Sequence, residues 1–187
     1  KVEDFKGLDI AVSQNTIIEY SAVLMLSQNN VDNEDIDLVY IPDIVARLQM
    51  LEEGKLAGAC LPDPLATMAV IQGARPITDS RKEGLPPGVM VFLREVVDKY
   101  PDALRAMYRA YDKAVDALNQ RGDDFRGMLT KKAGFPEQVE QIIEFPQYRK
   151  ACLPEEDDVE KVLAWMEGRG LLEEDITVDE LLVNIWE

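Results

Sequence analysis

Histidine is absent from all 187 residues. That removes the side chain best suited to general acid–base work near neutral pH, and the commonest protein ligand for transition metals. Cysteine is almost absent: Cys60 and Cys152 lie far apart and match no metal-binding spacing. Cys60 closes an apolar strand pattern, where a buried thiol is the ordinary occupant. A Cys60–Cys152 disulfide would need an exported protein and a Cα separation that sequence does not set. No apolar run approaches the ~20 residues of a membrane span. The opening Lys1-Val-Glu-Asp4 lacks the charged head, apolar stretch and cleavage site of a signal peptide, which leaves the compartment open. Positive charge is scarce, with 20 Lys+Arg against 36 Asp+Glu and a formal net charge of −16. Such a surface keeps a chain soluble and repels phosphate backbones, which argues against nucleic acid as a partner. No internal repeat or low-complexity segment is evident.

What is present is enough to fold. Hydrophobic residues make up 47% of the chain, so one or two domains with a real core are within reach. The organising stretch is Ile10-Ala-Val-Ser-Gln-Asn-Thr-Ile-Ile-Glu19: a short buried strand, a polar turn at Ser13 to Asn15, then a helix from about Thr16 to Asn29. Asp37-Leu-Val-Tyr-Ile41 reads as a second strand. Pro42-Asp43 opens a second helix with Ile44, Leu48 and Leu51 on one face, closed by Gly54. Leu56-Ala-Gly-Ala-Cys-Leu61 is a third strand, Pro62-Asp-Pro64 starts a third helix ending at Gly73, and Ala74-Arg-Pro-Ile-Thr78 is a weaker fourth strand. Strands alternating with helices require a mostly parallel sheet with right-handed crossovers.

In open sheets of this kind ligands bind outside the carboxyl ends of the strands. Three strand-to-helix junctions meet there: Ser13, Gln14, Asn15 and Thr16; Asp43; and Pro62 with Asp63. The free N–H groups and positive dipole end of the first helix suit an anion or a carbonyl, and Ser13, Asn15 and Thr16 equally suit a cap of that helix. Asp43 and Asp63 have the same two readings, as ligand contacts or as carboxylates complementing the first turns of their own helices.

The texture changes at Asp79-Ser-Arg-Lys-Glu-Gly-Leu-Pro-Pro-Gly88, a crossing loop or hinge. Val89-Met-Val-Phe-Leu93 has the composition of one more strand. From Lys99 the chain turns helical. Pro101 stands at a first helical position, and Leu104, Met107, Tyr108, Tyr111, Val115 and Leu118 follow with helical spacing. Tyr108 and Tyr111 suit helix packing better than ligand contact. Further helices are expected over roughly 123–133, 137–143 and 157–168, with Phe145-Pro-Gln-Tyr148 extended between them. Thr177-Val-Asp-Glu180 matches a capping box for a last helix to about Ile185. These amphipathic helices and one apolar strand want a sheet that the remainder of the sequence does not supply, so part of a larger protein or another chain is expected to supply it.

In this order the chain resembles the solute-binding proteins of bacterial ABC importers, in the nitrate/sulfonate/bicarbonate and thiamine-precursor (NMT1/THI5-like) branch. The resemblance is carried by Phe5-Lys-Gly-Leu-Asp-Ile-Ala-Val12, by Tyr40-Ile-Pro-Asp-Ile-Val-Ala-Arg-Leu48 and by Gly54-Lys-Leu-Ala-Gly-Ala-Cys-Leu-Pro-Asp-Pro-Leu-Ala66. Tyr100-Pro-Asp-Ala103, Ala110-Tyr-Asp-Lys-Ala114, Glu155-Glu-Asp-Asp-Val159 and Trp165 with Gly170-Leu-Leu172 continue it. It departs where the family usually has Asp, since Ala57 or Gly58 stands there, and in lacking the ~100 residues, about one small domain, that normally precede Phe5. The resemblance implies a type II periplasmic-binding-protein-like α/β fold. Residues 1–80 would be a complete second lobe, 81–93 a hinge, and 94–187 the mostly helical return to an incomplete first lobe.

It further implies an exported, non-catalytic protein without cofactor or metal, periplasmic or lipid-anchored, that binds a small polar solute and presents it to a transporter permease. A homodimer is one way to complete the missing lobe. The implied ligand-facing positions are Ser13, Gln14, Asn15, Thr16, Asp43, Pro62 and Asp63. Two other readings share the fold: an enzyme of thiamine-pyrimidine or menaquinone synthesis, and the effector domain of a transcription regulator. The family's pyrimidine synthases depend on histidine, which is absent, and no basic DNA-binding segment accompanies the chain. A helix N-terminus suits sulfonate, nitrate or carboxylate. Asp43 and Asp63 would disfavour a bare anion and tilt the expectation towards an aminopyrimidine-like, nitrogen-bearing solute.

Overall fold

The computed structural model describes residues 6–85 and 88–186, in two compact units. Phe5, which opens the first family-like segment, lies outside the described residues, as do Pro86 and Pro87 of the Pro/Gly segment.

The first unit holds residues up to 85 together with Arg126–Glu144. Its central strand, β1 (Asp9–Val12), is apolar on both faces, with Ile10 at 5% and Ala11 and Val12 at 0% exposure. A strand covered on both faces belongs in the middle of a parallel sheet. It lies there, between β2 (Asp37–Tyr40) and β3 (Gly58–Ala59) in the order β2–β1–β3. Both pairings are parallel, with Ile10 opposite Leu38 on one side and Gly58 on the other. Parallel neighbours need crossovers, and α1 (Ile17–Ser27) and α2 (Ile44–Glu52) provide them. Ile10, Leu26, Val31 and Ile36 form a buried cluster with Leu38 against it.

The crossover α2 stops where the sequence says it should. Gly54 takes φ +69°, open to a residue without a side chain, and donates to the Leu51 carbonyl (3.1 Å) while Lys55 donates to that of Met50 (2.9 Å). After β3, α3 (Leu65–Ile71) ends at Gly73. The fourth strand expected over 74–78 is not formed: these residues have no ladder partner among the described residues, and Pro76 in their middle has no N–H to donate. The unit is completed from further along the chain. The helix expected over 123–133 divides at the boundary between units, and its second part, Arg126–Ala133, lies here. Arg126 donates from Nη1 to the carbonyls of Glu140 (3.0 Å) and Ile143 (2.7 Å), folding the chain back. The helix expected over 137–143 shrinks to a short 3-10 turn at Glu137–Val139 against α3, with Val139 fully buried.

The second unit comprises Gly88–Phe125 and Phe145 onward. Its first helix, α4 (Arg94–Lys99), begins earlier than the sequence suggested, and α5 (Pro101–Arg121) follows with Pro101 at its first turn. Leu104 and Val115 are its buried positions. The extended segment after Phe145 is laced to α5 by polar side chains. Asn119 imitates a strand by donating to the Tyr148 carbonyl (2.9 Å) and accepting its N–H (2.9 Å), and Asp112 accepts from the Ala151 N–H (2.8 Å). Gly122 allows a close approach here, because a Cβ would meet the Phe145 ring at 3.1 Å. With α6 assigned to Arg126–Ala133, the last helices are α7 (Glu156–Glu167) and α8 (Val178–Leu181). The capping box at Thr177 and Glu180 is formed, but the helix it starts ends four residues before Ile185.

Val89–Leu93 is extended without a strand partner among the described residues. Phe92 leans edge-on against Tyr108 of α5, with ring centroids 6.4 Å apart, and Val91 is 84% exposed. The composition is that of a strand, but no neighbouring strand in this unit supplies a ladder.

Glu83 ties the loop after α3 to the end of α1. It accepts from the Thr78 hydroxyl and from Asn29 Nδ2 (3.1 Å), and these bonds, the Thr78 one first, hold its carboxyl below the usual range. A carboxyl whose pKa is lower in the folded state adds stability above its unfolded pKa and loses it as pH falls through the folded value. Urea midpoints measured from about pH 6 to about pH 3 should therefore fall less steeply for Glu83→Gln than for the wild type below pH ~4.3, the ordinary glutamate value.

Candidate functional site

All three strands of the first unit end at one edge, and each hands over to a helix. After β1 the chain turns through Ser13 and Gln14 to Asn15, which sits at φ +57°, a left-handed position that asparagine tolerates. Thr16 then caps α1. Its Oγ1 accepts from the Ile18 N–H (3.2 Å) and its hydroxyl donates to the Ser13 carbonyl (2.7 Å). One turn on, Glu19 reaches back: Oε2 accepts the Asn15 N–H at 2.6 Å, and Oε1 lies 3.4 Å from the Tyr40 hydroxyl. Glu19 is completely buried.

The second and third junctions are also capped from within. Asp43 Oδ1 accepts from the N–H groups of Val45 (2.9 Å) and Ala46 (3.1 Å) at the start of α2. Asp63 Oδ1 accepts from the Thr67 hydroxyl (2.7 Å) and N–H (3.2 Å), and the Pro62 carbonyl accepts from the Ala66 N–H (3.1 Å). The Asp63–Pro64 peptide is cis. Asp43 and Asp63 are both exposed and spend Oδ1 on these bonds.

What joins the three junctions is Arg47, on α2 and fully buried. Its Nη2 donates to the Ser13 hydroxyl and to the Ile41 carbonyl (2.7 Å), Nη1 to the Cys60 carbonyl (2.6 Å), and Nε to Ile41 (3.3 Å). One guanidinium thus engages residues just past the ends of β1, β2 and β3. Desolvation lowers its pKa, from a starting value so high that the group stays charged. Beside it, burial pushes the Cys60 thiol up to about 11, while the Arg47 charge opposes the rise.

Every residue expected at the site therefore lies along this edge. Ser13, Thr16, Asp43 and Asp63 hold the backbone of the junctions, whereas Gln14, Asn15, Asp43 and Asp63 are exposed on it. Sequence reasoning missed Glu19 and Arg47. Both left a signal: Thr16-Ile-Ile-Glu19 has capping-box spacing, and Arg47 is a charge on the apolar face made by Ile44, Leu48 and Leu51. The edge offers the carboxylates of Asp43 and Asp63, the amides of Gln14 and Asn15, and the Thr16 hydroxyl. Burial holds the nearby Cys60 thiol protonated at neutral pH.

A model of the NMT1-like family matches residues 2–129. No curated protein matches the chain. Among solved structures, the periplasmic aliphatic sulphonate binding protein SsuA from Escherichia coli superposes with a TM-score of 0.81 at 17% identity, covering 97% of this chain and 64% of its own. The alkanesulfonate-binding protein SsuA from Xanthomonas axonopodis pv. citri, bound to MOPS, gives 0.74 at 17% identity, with 96% and 63% covered. The periplasmic sulfonate-binding protein SsuA from Methylobacillus flagellatus KT gives 0.74 at 17%, with 98% and 59%. The fold is that of these periplasmic binding proteins, and the chain spans about three fifths of their length.

Three outcomes follow from the edge itself. Lysine has the charge of Arg47 but not the planar fork, so Arg47→Lys should strand strand-end carbonyls and cost about 2 kcal/mol or more in urea unfolding. Gln14→Ala, on the exposed turn, should change stability by less than about 0.5 kcal/mol. Titration of the native protein with a thiol reagent at about pH 8 should modify exposed Cys152 rapidly and Cys60 only after denaturation.

Proposed function

The chain belongs to the NMT1-like family, and we propose that it is the solute-binding component of an ABC importer. It takes up a small polar solute at the carboxyl edge of its parallel sheet and delivers it to a transporter permease outside the cytoplasm. The observation that carries this reading is the convergence on Arg47: three strand-to-helix junctions are tied to one buried group and present Gln14, Asn15, Asp43 and Asp63 together at the edge where open parallel sheets bind ligands. The similarity to sulfonate-binding proteins supports the same class of work. In this reading residues 1–80, completed by Arg126–Glu144, correspond to one lobe, 81–93 to the hinge, and the rest of 94–187 to part of the other. Candidate solutes are aminopyrimidine-like, sulfonate or nitrate compounds. No observation favours the enzyme, the transcriptional sensor or a homodimer, and none is proposed.

A ligand that binds only the folded protein raises its melting temperature with dose. A thermal-shift screen with aminopyrimidines, alkanesulfonates, nitrate and carboxylates should give a dose-dependent rise with one of these classes. In Asp43→Asn and Asp63→Asn the rise should shrink while the ligand-free melting temperature moves only slightly, because asparagine also caps helices. A folded protein that responds to none of the four classes would sink the reading.

A further inference from the structure

We infer that residues 79–85, at the head of the Pro/Gly segment, form a capped helical turn clasped to the first unit, so that the hinge of the reading above begins only after Leu85. The inference rests on the division into two units and on local bonds, and it does not depend on which solute is bound. Each N–H from Arg81 to Leu85 has a partner inside the turn. Asp79 is the N-cap: its Oδ1 accepts from the N–H groups of Arg81 (2.9 Å) and Lys82 (3.0 Å). The Glu83 N–H donates to the Asp79 carbonyl (3.1 Å) and closes the turn. Gly84, at φ +69°, donates to the Arg81 carbonyl (3.2 Å), and Leu85 donates to that of Ser80 (2.8 Å). Those two bonds are how a helix ends on a left-handed glycine. A stretch dense in turn residues is thus a helix start and a helix stop with one turn between them.

A single turn does not hold itself, because it fixes several residues for very few bonds. Here it is held from outside. Glu83 Oε1 accepts from the Thr78 hydroxyl and from Asn29 Nδ2 (3.1 Å), just past the end of α1. Asn29 is itself fixed, since the same Nδ2 donates to the Met25 carbonyl (2.8 Å). Arg81 Nη1 reaches Oε2 of Glu144 (3.3 Å), the last residue of the first unit before the chain leaves it again. That ion pair is exposed on both sides and adds little, so the clasp is Glu83. The helix that begins at the candidate edge therefore ends at the bond that fixes where the chain departs. Residues 89–93, extended without a strand partner among the described residues, have no such hold.

The test is hydrogen exchange read by mass spectrometry on the ligand-free wild type, Glu83→Ala, Asn29→Ala and Glu83→Gln, with each rate divided by that of the unstructured peptide. In the wild type the amides of 81–85 should exchange at least about tenfold more slowly than those of 89–93. Glu83→Ala and Asn29→Ala should each speed exchange over 81–85 by about tenfold while β1 keeps its wild-type rate. Glu83→Gln, whose side-chain carbonyl accepts the same two bonds, should stay near the wild type. Equal exchange of the two segments in the wild type would overturn the inference, and so would protection of 81–85 that survives Glu83→Ala. Where a variant also frees β1, or does not fold, the wild-type ratio and the remaining alanine variant decide. None of these results touches the solute-binding reading, whose failure would show in the thermal-shift screen instead.

Discussion

The first unit depends on one guanidinium. Residues that follow three parallel strands must leave the sheet with carbonyls to which no further strand donates, and a buried carbonyl without a partner is costly. Arg47 takes up two of them, at Ile41 and Cys60, and fixes the Ser13 side chain as well. Burying a charge without a carboxylate partner is expensive, and it is tolerated here because the planar fork of arginine meets several oxygens at once. The consequence is a rigid edge. The starts of α1, α2 and α3 are referenced to one side chain rather than to three separate loops.

In the proposed binding role that rigidity bears on recognition as well as on fold. A site whose groups are already bonded to one another loses little freedom when a ligand arrives. Thr16, Asp43 and Asp63 each satisfy the first N–H groups of their own helices, and the atoms they leave outward are held in place by those bonds. Capping and ligand contact are therefore not alternatives at Asp43 and Asp63. One carboxylate oxygen does the first and leaves the other side of the same group at the surface.

The α/β half of the fold was legible because its signals are local. Ile10 to Val12 reads as a doubly buried strand, Gly54 and Gly73 as helix stops, Pro101 as a helix start, and the structure has each of them. The strand at 74–78 was misread because apolar composition outweighed Pro76, whose missing N–H rules out a place in the ladder. The helix at 137–143 was overread for a different reason: its apolar residues serve tertiary contacts, with Val139 buried against α3, and need only a single 3-10 turn to reach them. The loop residues expected at the candidate site lie along one edge because they follow strands, and topology fixes that position. Arg47 escaped because its role is long-range: it bonds Ser13, 34 positions away in sequence, which no periodicity announces. Val89–Leu93 shows the limit of composition, since a strand exists only where another chain segment offers its ladder.

The first unit is built from two separated stretches of chain, with Gly88–Phe125 of the second unit between them. On a ribosome this order has a cost in time. The sheet and its crossovers are synthesised early, but the turn that buries Val139 against α3 arrives more than fifty residues after Gly84. Until then the outer face of α3 is bare, and the nascent chain carries an unfinished hydrophobic surface. Such a surface is what holdase chaperones recognise. The interleaving of the two units makes the emerging polypeptide, rather than the finished protein, the form most exposed to misassembly.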